Sequence, residues 1–254
     1  MLSSRIIPCL LVHNKGLVKT VNFKDSKYVG DPINAVKIFN EKESDELMVL
    51  DIDATVEKRD PDYKMIENLA IECRMPLCYG GGIKTVEQAT KIFNLGVEKI
   101  ALSSAAIENP ELIANIAKEV GNQSVVVVID VKKKMFGGYD IYTHNGRKKT
   151  KLNLEFFIKE LQTLGVGEIV INSIDNDGVM KGYDLNLIEK VWPLVNVPLT
   201  VIGGVGSLED IKIIINKFGI IGCAVGSFFV FKGKYKAVLI TYITKLQKSK
   251  IFEN

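Results

Sequence analysis

The residues best suited to chemistry fall into three sets. The first is a pair of glycine clusters, "GGG" at 80–82 and "GGVG" at 203–206, followed further along by "SSA" at 103–105 and "GSF" at 226–228. Glycine lets backbone N–H groups approach a phosphate closely, and a serine hydroxyl at a helix N-terminus completes the cradle. Gly81, Gly82 and Ser104 would make one cradle, and Gly203, Gly204, Gly226 and Ser227 another. Two cradles suit a long molecule with a phosphate at each end, although glycines also make ordinary strand-to-helix turns. The second set is carboxylates that close apolar runs. Asp130 ends "SVVVVID" and is a candidate general acid/base or a loop cap. Asp51 ends "LMVLD" and is placed with the substrate-binding residues; Asp53 beside it could share or replace its role. The third set is Arg5, Glu46, Lys99 and Glu168, at or near the starts of apolar runs. Buried charges are costly unless paired. These four are either surface charges or a closed ring of two cations and two anions.

The elements that must hold these residues show themselves through an internal repeat. "ELMVLDID" (46–53) matches "EIVINSID" (168–175), and "YGGGIKTVEQ" (79–88) matches "IGGVGSLED" (202–210). "GVEKIALSS" (96–104) matches "GIIGCAVGS" (219–227). Solenoid repeats are much shorter than this spacing, so it points to two similar halves, about 1–122 and 123–254, of one domain. Eight short apolar strands can be placed, at 5–10, 46–51, 76–79, 98–103, 124–130, 168–172, 198–202 and 221–225. Between them "IKTVEQATKIFNLG" and "SLEDIKIIINKFG" read as helices, closed by Gly96 and Gly219 and, in the second, opened by Ser207. Alternating strands and helices in two equal halves predict a (β/α)₈ TIM barrel, with a doubly wound open sheet as the alternative. In such a barrel the carboxyl ends of the strands face the substrate. The glycines, serines and aspartates above fall there, and the four charges fall at the other end. The segment "KKKMFGGYDIYTHNGRKKTKL" (132–152) carries turn signals and reads as a β-ribbon after strand five. Strand one runs into a polar loop containing His13, expected as an exposed loop histidine. That strand ends "CLL", with Leu11 where chemistry would want an acid.

Composition is that of an ordinary globular chain: 254 residues, 47% hydrophobic, 25% charged, net charge +3. The lysines are scattered. "KKK" at 132–134 and "KLQKSK" read as solvated faces, so nucleic acid is not an expected partner. No apolar run approaches the length of a membrane span and no signal-peptide pattern opens the chain, so a cytoplasmic protein without membrane contact is expected. Cys9, Cys73, Cys78 and Cys223 lack metal spacing and read as free thiols, and only two histidines exist. No metal and no cofactor is expected.

"RIIPCL", "GDP" at 30–32, "DELMVLDI", "ATVEKR", "GGGI", "SSAAIENPELI", "VVVVIDVK", "SIDNDGVMKGYD" and "IGGVG" together make a specific signature. By it the chain resembles the cyclase subunit of imidazole glycerol phosphate synthase, the HisF family, over nearly its whole length. The resemblance implies a two-half barrel with a HisH-like glutaminase subunit docked on its base. Ammonia would pass a gate at Arg5, Glu46, Lys99 and Glu168 and attack a phosphorylated small-molecule substrate at the mouth. It adds Lys19, Asp177 and Gly178 to the phosphate and substrate sites, and makes Asp130 one of two catalytic aspartates. The other falls at Leu11. Asp53, Ser103 and Ile202 also depart from the family's usual threonine, asparagine and serine. An intact base with an altered mouth resembles a divergent branch of the family. Its members work with a glutaminase homologue and an ATP-dependent amidotransferase to build acetamidino groups on surface sugars. A working histidine-pathway cyclase and a non-catalytic activator of a glutaminase are the alternatives.

Overall fold

The computed structural model describes residues 3–252. Eight strands pair in parallel and close on themselves: β1 (Arg5–His13), β2 (Leu47–Asp51), β3 (Leu77–Gly80), β4 (Lys99–Leu102), β5 (Val125–Lys133), β6 (Glu168–Ser173), β7 (Leu199–Ile202) and β8 (Gly222–Val225). Each is paired with the next, and β8 returns to β1 with Arg5 beside Gly222. This is the (β/α)₈ barrel the alternation predicts. The principal helices are α1 (Pro32–Glu41), α2 (Tyr63–Glu72), α3 (Val86–Asn94), α4 (Glu111–Val120), α5 (Leu154–Thr163), α6 (Leu185–Val191), α7 (Leu208–Phe218) and α8 (Lys245–Phe252).

Period-two alternation sorts each strand between two cores. In β1, Ile6, Leu10 and Val12 pack outward against the helices, while Ile7, Cys9 and Leu11 face the barrel lumen. The lumen is filled by small and medium apolar side chains, Met48, Cys78, Ala101, Val128 and Ala224 among them. The equivalent helices α3 and α7 start alike. The Thr85 hydroxyl accepts from the Gln88 N–H and the Ser207 hydroxyl from the Asp210 N–H, each answered by the partner side chain in a capping box.

Three β-ribbons rise from the carboxyl ends of the strands. The predicted one is present: Tyr139–Thr143 lies antiparallel to the end of β5, with Tyr142 opposite Asp130. The stretch expected as a polar loop after strand one is also a ribbon, the first along the chain. β1 runs on to His13, and Gly16–Val21 and Lys24–Gly30 fold back on it. Leu17, Val18 and Val29 are buried, which anchors that ribbon. Its turns use Asn14, Lys15, Asn22 and Phe23 in the left-handed region, φ 49° to 64°, rather than glycine. A short hairpin, Phe231–Lys232 with Ala237–Val238, follows β8. Among the described residues no helix is long and apolar enough to cross a membrane.

Candidate functional site

The carboxyl ends of the strands surround an open cavity. Asp130, Lys19, Asp51, Gly81, Gly82, Ser104, Asp177, Gly178, Gly203, Gly204, Gly226 and Ser227 all line it. The sequence scatters them over two hundred residues; the strand order gathers them.

Asp130 projects inward from β5 beyond Val126 and Val128. The Asn172 amide donates to its Oδ1 at 2.9 Å and the Ser103 hydroxyl to its Oδ2 at 3.4 Å. Burial pushes the carboxyl up to about 7, and those two donors offset only part of the effect. A carboxyl that titrates there can give or take a proton near neutrality. On the far side of the barrel, β1 presents Leu11 to the same cavity. Asn172 Oδ1 is buried without a partner, so the amide's orientation is held through its bond to Asp130.

Two further acids after β2 are already engaged. Asp51 Oδ1 accepts the backbone N–H groups of Asp53 and Ala54 at 2.9 and 3.0 Å, capping its own loop; burial still raises its carboxyl. Asp53 meets His13 Nδ1 at 2.7 Å and the Asn14 N–H at 2.8 Å. His13 is therefore a half-exposed partner of Asp53, outside the cavity lining.

The glycine clusters form tight backbone turns. At Gly81 (φ 129°) a Cβ would come within 2.6 Å of the Asp51 carbonyl, and at Gly204 (φ 109°) within 2.1 Å of the Gly182 carbonyl. Only glycine fits either place. Ser104 and Ser227 are buried and begin the short helices Ser104–Glu108 and Ser227–Val230. Lys19 is buried with its ammonium donating to the Cys9 carbonyl, beside Gly226. Burial lowers that ammonium's pKa against the opposing charge of Asp177, so an anion placed beside it would restore it. Asp177 accepts from the Thr20 hydroxyl at 2.9 Å, and the Asn22 N–H donates to its carbonyl at 2.9 Å. These bonds hold the first ribbon down on the loop after β6.

Sequence reasoning gives no role to His144 and Asn145, yet both line the cavity. The His144 N–H donates to the Ser104 hydroxyl at 3.1 Å, and the Asn145 amide to the Ile52 carbonyl. The "NG" turn marks their hairpin, but nothing local says that it folds over the mouth.

At the base the four charges interlock. Arg5 Nη1 reaches Glu46 at 2.5 Å and Nη2 reaches Glu168 at 2.8 Å, while Lys99 Nζ bridges Glu46 and Glu168 at 2.9 Å each. The Thr200 hydroxyl donates to Glu168 at 2.6 Å. Burial pulls the Arg5 and Lys99 pKa values down, but Glu168 and Glu46 outweigh it and leave both raised. Burial likewise acts to raise Glu168, and Arg5 with Lys99 holds it below its usual range. These four residues form the closed ring, not separate surface charges.

The fold is that of a (β/α)₈-barrel protein with an open site at the carboxyl ends of its strands. The family model described as "Histidine biosynthesis protein" matches residues 5–236. Within that class the chain belongs to the HisF family. It is 60% identical over 254 residues to a protein of Vibrio vulnificus (strain YJ016) provisionally named imidazole glycerol phosphate synthase subunit hisF3, covering 100% of this chain and 98% of the relative. It is 55% identical over 253 residues to a provisionally named subunit HisF of Leptospira interrogans, covering 99% and 100%. To the imidazole glycerol phosphate synthase subunit HisF of Streptococcus sanguinis (strain SK36) it is 40% identical over 229 residues, covering 90% and 91%.

Proposed function

We propose that this HisF-type subunit carries ammonia for a glutamine-dependent amidotransferase. A HisH-like glutaminase docks on the base, where Arg5, Glu46, Lys99 and Glu168 meet. Ammonia then moves along the apolar lumen to the mouth, where it serves an ATP-dependent amidotransferase that builds an acetamidino group on a surface sugar. The two glycine–serine cradles, together with Lys19, Asp177 and Gly178, hold a phosphorylated small molecule. Of the three acids among the described residues that line the mouth, Asp51 caps its own loop and Asp177 holds the ribbon after β1, which leaves Asp130.

The observation that carries this reading is Leu11. It faces the cavity from the wall opposite Asp130 and can neither give nor take a proton. Loss of one acid/base group costs about 10²–10⁴-fold in rate. The base ring is complete while the mouth lacks one of a pair of acids, which suits transport better than ring closure. A second reading has support of its own. Asp130 titrating at about 7 beside two cradles would suit a working cyclase of histidine biosynthesis. Such an enzyme converts phosphoribulosyl-formimino-aminoimidazole-carboxamide ribotide and ammonia to imidazole glycerol phosphate and aminoimidazole-carboxamide ribotide.

The test is turnover of that ribotide by the purified barrel with excess ammonium salt, beside a Leu11→Asp variant. We expect no turnover by the natural chain and a gain in the variant. Robust turnover by the natural chain would overturn the transport reading in favour of the cyclase.

A further inference from the structure

We infer that the rim of the barrel mouth is a docking surface for a protein face that is acidic around an apolar centre. That face belongs to the enzyme that consumes the ammonia, so the inference rests on the transport reading above.

The charge of the molecule is strongly segregated. The three ribbon segments at the mouth, 14–30, 132–152 and 231–239, hold fourteen Lys and Arg against two Asp, a net of +12. The whole chain is +3, so the remaining residues are net −9. Of the fourteen cations only Lys19 is buried. A few find partners, such as Lys134 and Lys149 on Asp140. The rest face solvent.

Apolar side chains stand among these cations on the ribbons. Phe136 is 96% exposed, Met135 90%, Tyr235 89% and Tyr28 65%. The ribbons are joined to one another. Lys27 Nζ donates to the Lys236 carbonyl at 3.0 Å and lies over the Phe231 ring, linking the first ribbon to the hairpin after β8. The Phe23 ring lies against Gly146 of the ribbon after β5.

An anionic small substrate would account for the lysines alone. It would not account for Met135, Phe136, Tyr28 and Tyr235, none of which lines the cavity. Exposed aromatic and methionine side chains among cations are the anchors of protein interfaces, while the surrounding charge speeds encounter and fixes orientation. A membrane could use the same chemistry, but pressed on ribbons from both sides of the barrel it would close the cavity to substrate. A protein acceptor seated there receives ammonia before it is lost to solvent.

The experiment measures binding of the barrel–glutaminase complex to the ATP-dependent sugar amidotransferase of the same genome, at about 50 and about 300 mM salt. Two rim variants are compared: Met135→Ser with Phe136→Ser and Tyr235→Ser, and Lys132→Glu with Lys133→Glu and Lys234→Glu. Retained glutaminase binding shows that each variant is folded. We expect the apolar variant to bind about 30-fold more weakly, and the charge variant to associate about 10-fold more slowly at low salt with a flatter salt dependence. The inference is overturned if the amidotransferase does not bind, if both variants bind as tightly as the natural chain, or if the glutaminase competes with the amidotransferase. Binding to phosphatidylglycerol vesicles without binding to the amidotransferase overturns it in favour of a membrane. None of these outcomes decides the transport reading, which the cyclase assay tests separately.

Discussion

Between roughly pH 4 and pH 7 the folded chain keeps a proton on Asp130 that the unfolded chain has released, because burial raises the carboxyl to about 7 from an unfolded value near 3.9. The native state then binds more protons than the unfolded state, so stability falls as pH rises through that window and the full cost is present above it. Asp130→Asn removes the cost while leaving an oxygen for the Asn172 amide. We expect the variant to be more stable than the natural chain at pH 8 by up to about 4 kcal/mol, with the difference closing towards pH 4. Urea unfolding at the two pH values checks this; a difference that does not change with pH would show that Asp130 titrates like a solvated carboxylate. At this scale the sequence was informative where a polar or glycine residue interrupts an apolar run, as at Asp130, Gly81 and Ser227. It was silent where a role comes from a partner distant in the chain. The His13–Asp53 pair at 2.7 Å spans forty residues, and the orphaned oxygen of Asn172 depends on which groups three strands place around it.

The strands and the two equivalent helices were legible because several local signals agree. Apolar runs of four to six residues, the N-cap at Ser207 and the closing glycines all point the same way, and the structure adds capping boxes at Thr85–Gln88 and Ser207–Asp210. The first ribbon was not legible. Its turns fall on Asn, Lys and Phe in left-handed conformations, and its outer strand "KDSKY" is exposed throughout, so neither glycine nor alternation announces it. The strand starts carry the base ring, and here the repeat was the useful guide: Glu46 and Glu168, equivalent in the two halves, each meet both Arg5 and Lys99. Removing one anion leaves two cations that are mostly out of water sharing the other. Glu168→Ala should therefore destabilise the barrel by about 3–5 kcal/mol, measured by urea unfolding at neutral pH. Because Arg5 and Lys99 hold Glu168 below its usual range, its contribution exists above the unfolded carboxylate range and is lost as pH falls through the folded value. The difference between Glu168→Ala and the natural chain should accordingly shrink in acid. A loss of less than about 1 kcal/mol at neutral pH would mean that solvent already screens the ring.

Across the whole molecule, the base ring, the apolar lumen and the open mouth lie on one axis, and nearly half of the lysines that look scattered along the sequence gather in the ribbons at one end of it. That gathering could not be read in advance, since it depends on three ribbons rising from strands on both sides of the barrel. The axis also supplies the means of separating transport from mere activation of a glutaminase. Lys99 stands at the entrance to the lumen, with Cys78 beside it in register and Met48 and Cys9 further along the neighbouring strands. Lys99→Trp puts an indole across that entrance. If ammonia moves through the barrel, the variant complex should still hydrolyse glutamine, and its glutamine-supported amidation should fall sharply. Amidation supported by ammonium salt added to the mouth side should persist, which would show that the acceptor chemistry is untouched. Both amidation rates and the glutaminase rate are read from the same preparation, so a general loss of folding would lower all three together. If glutamine-supported amidation continues unharmed through a blocked lumen, the ammonia takes another route, and the barrel's part is to switch on its glutaminase partner.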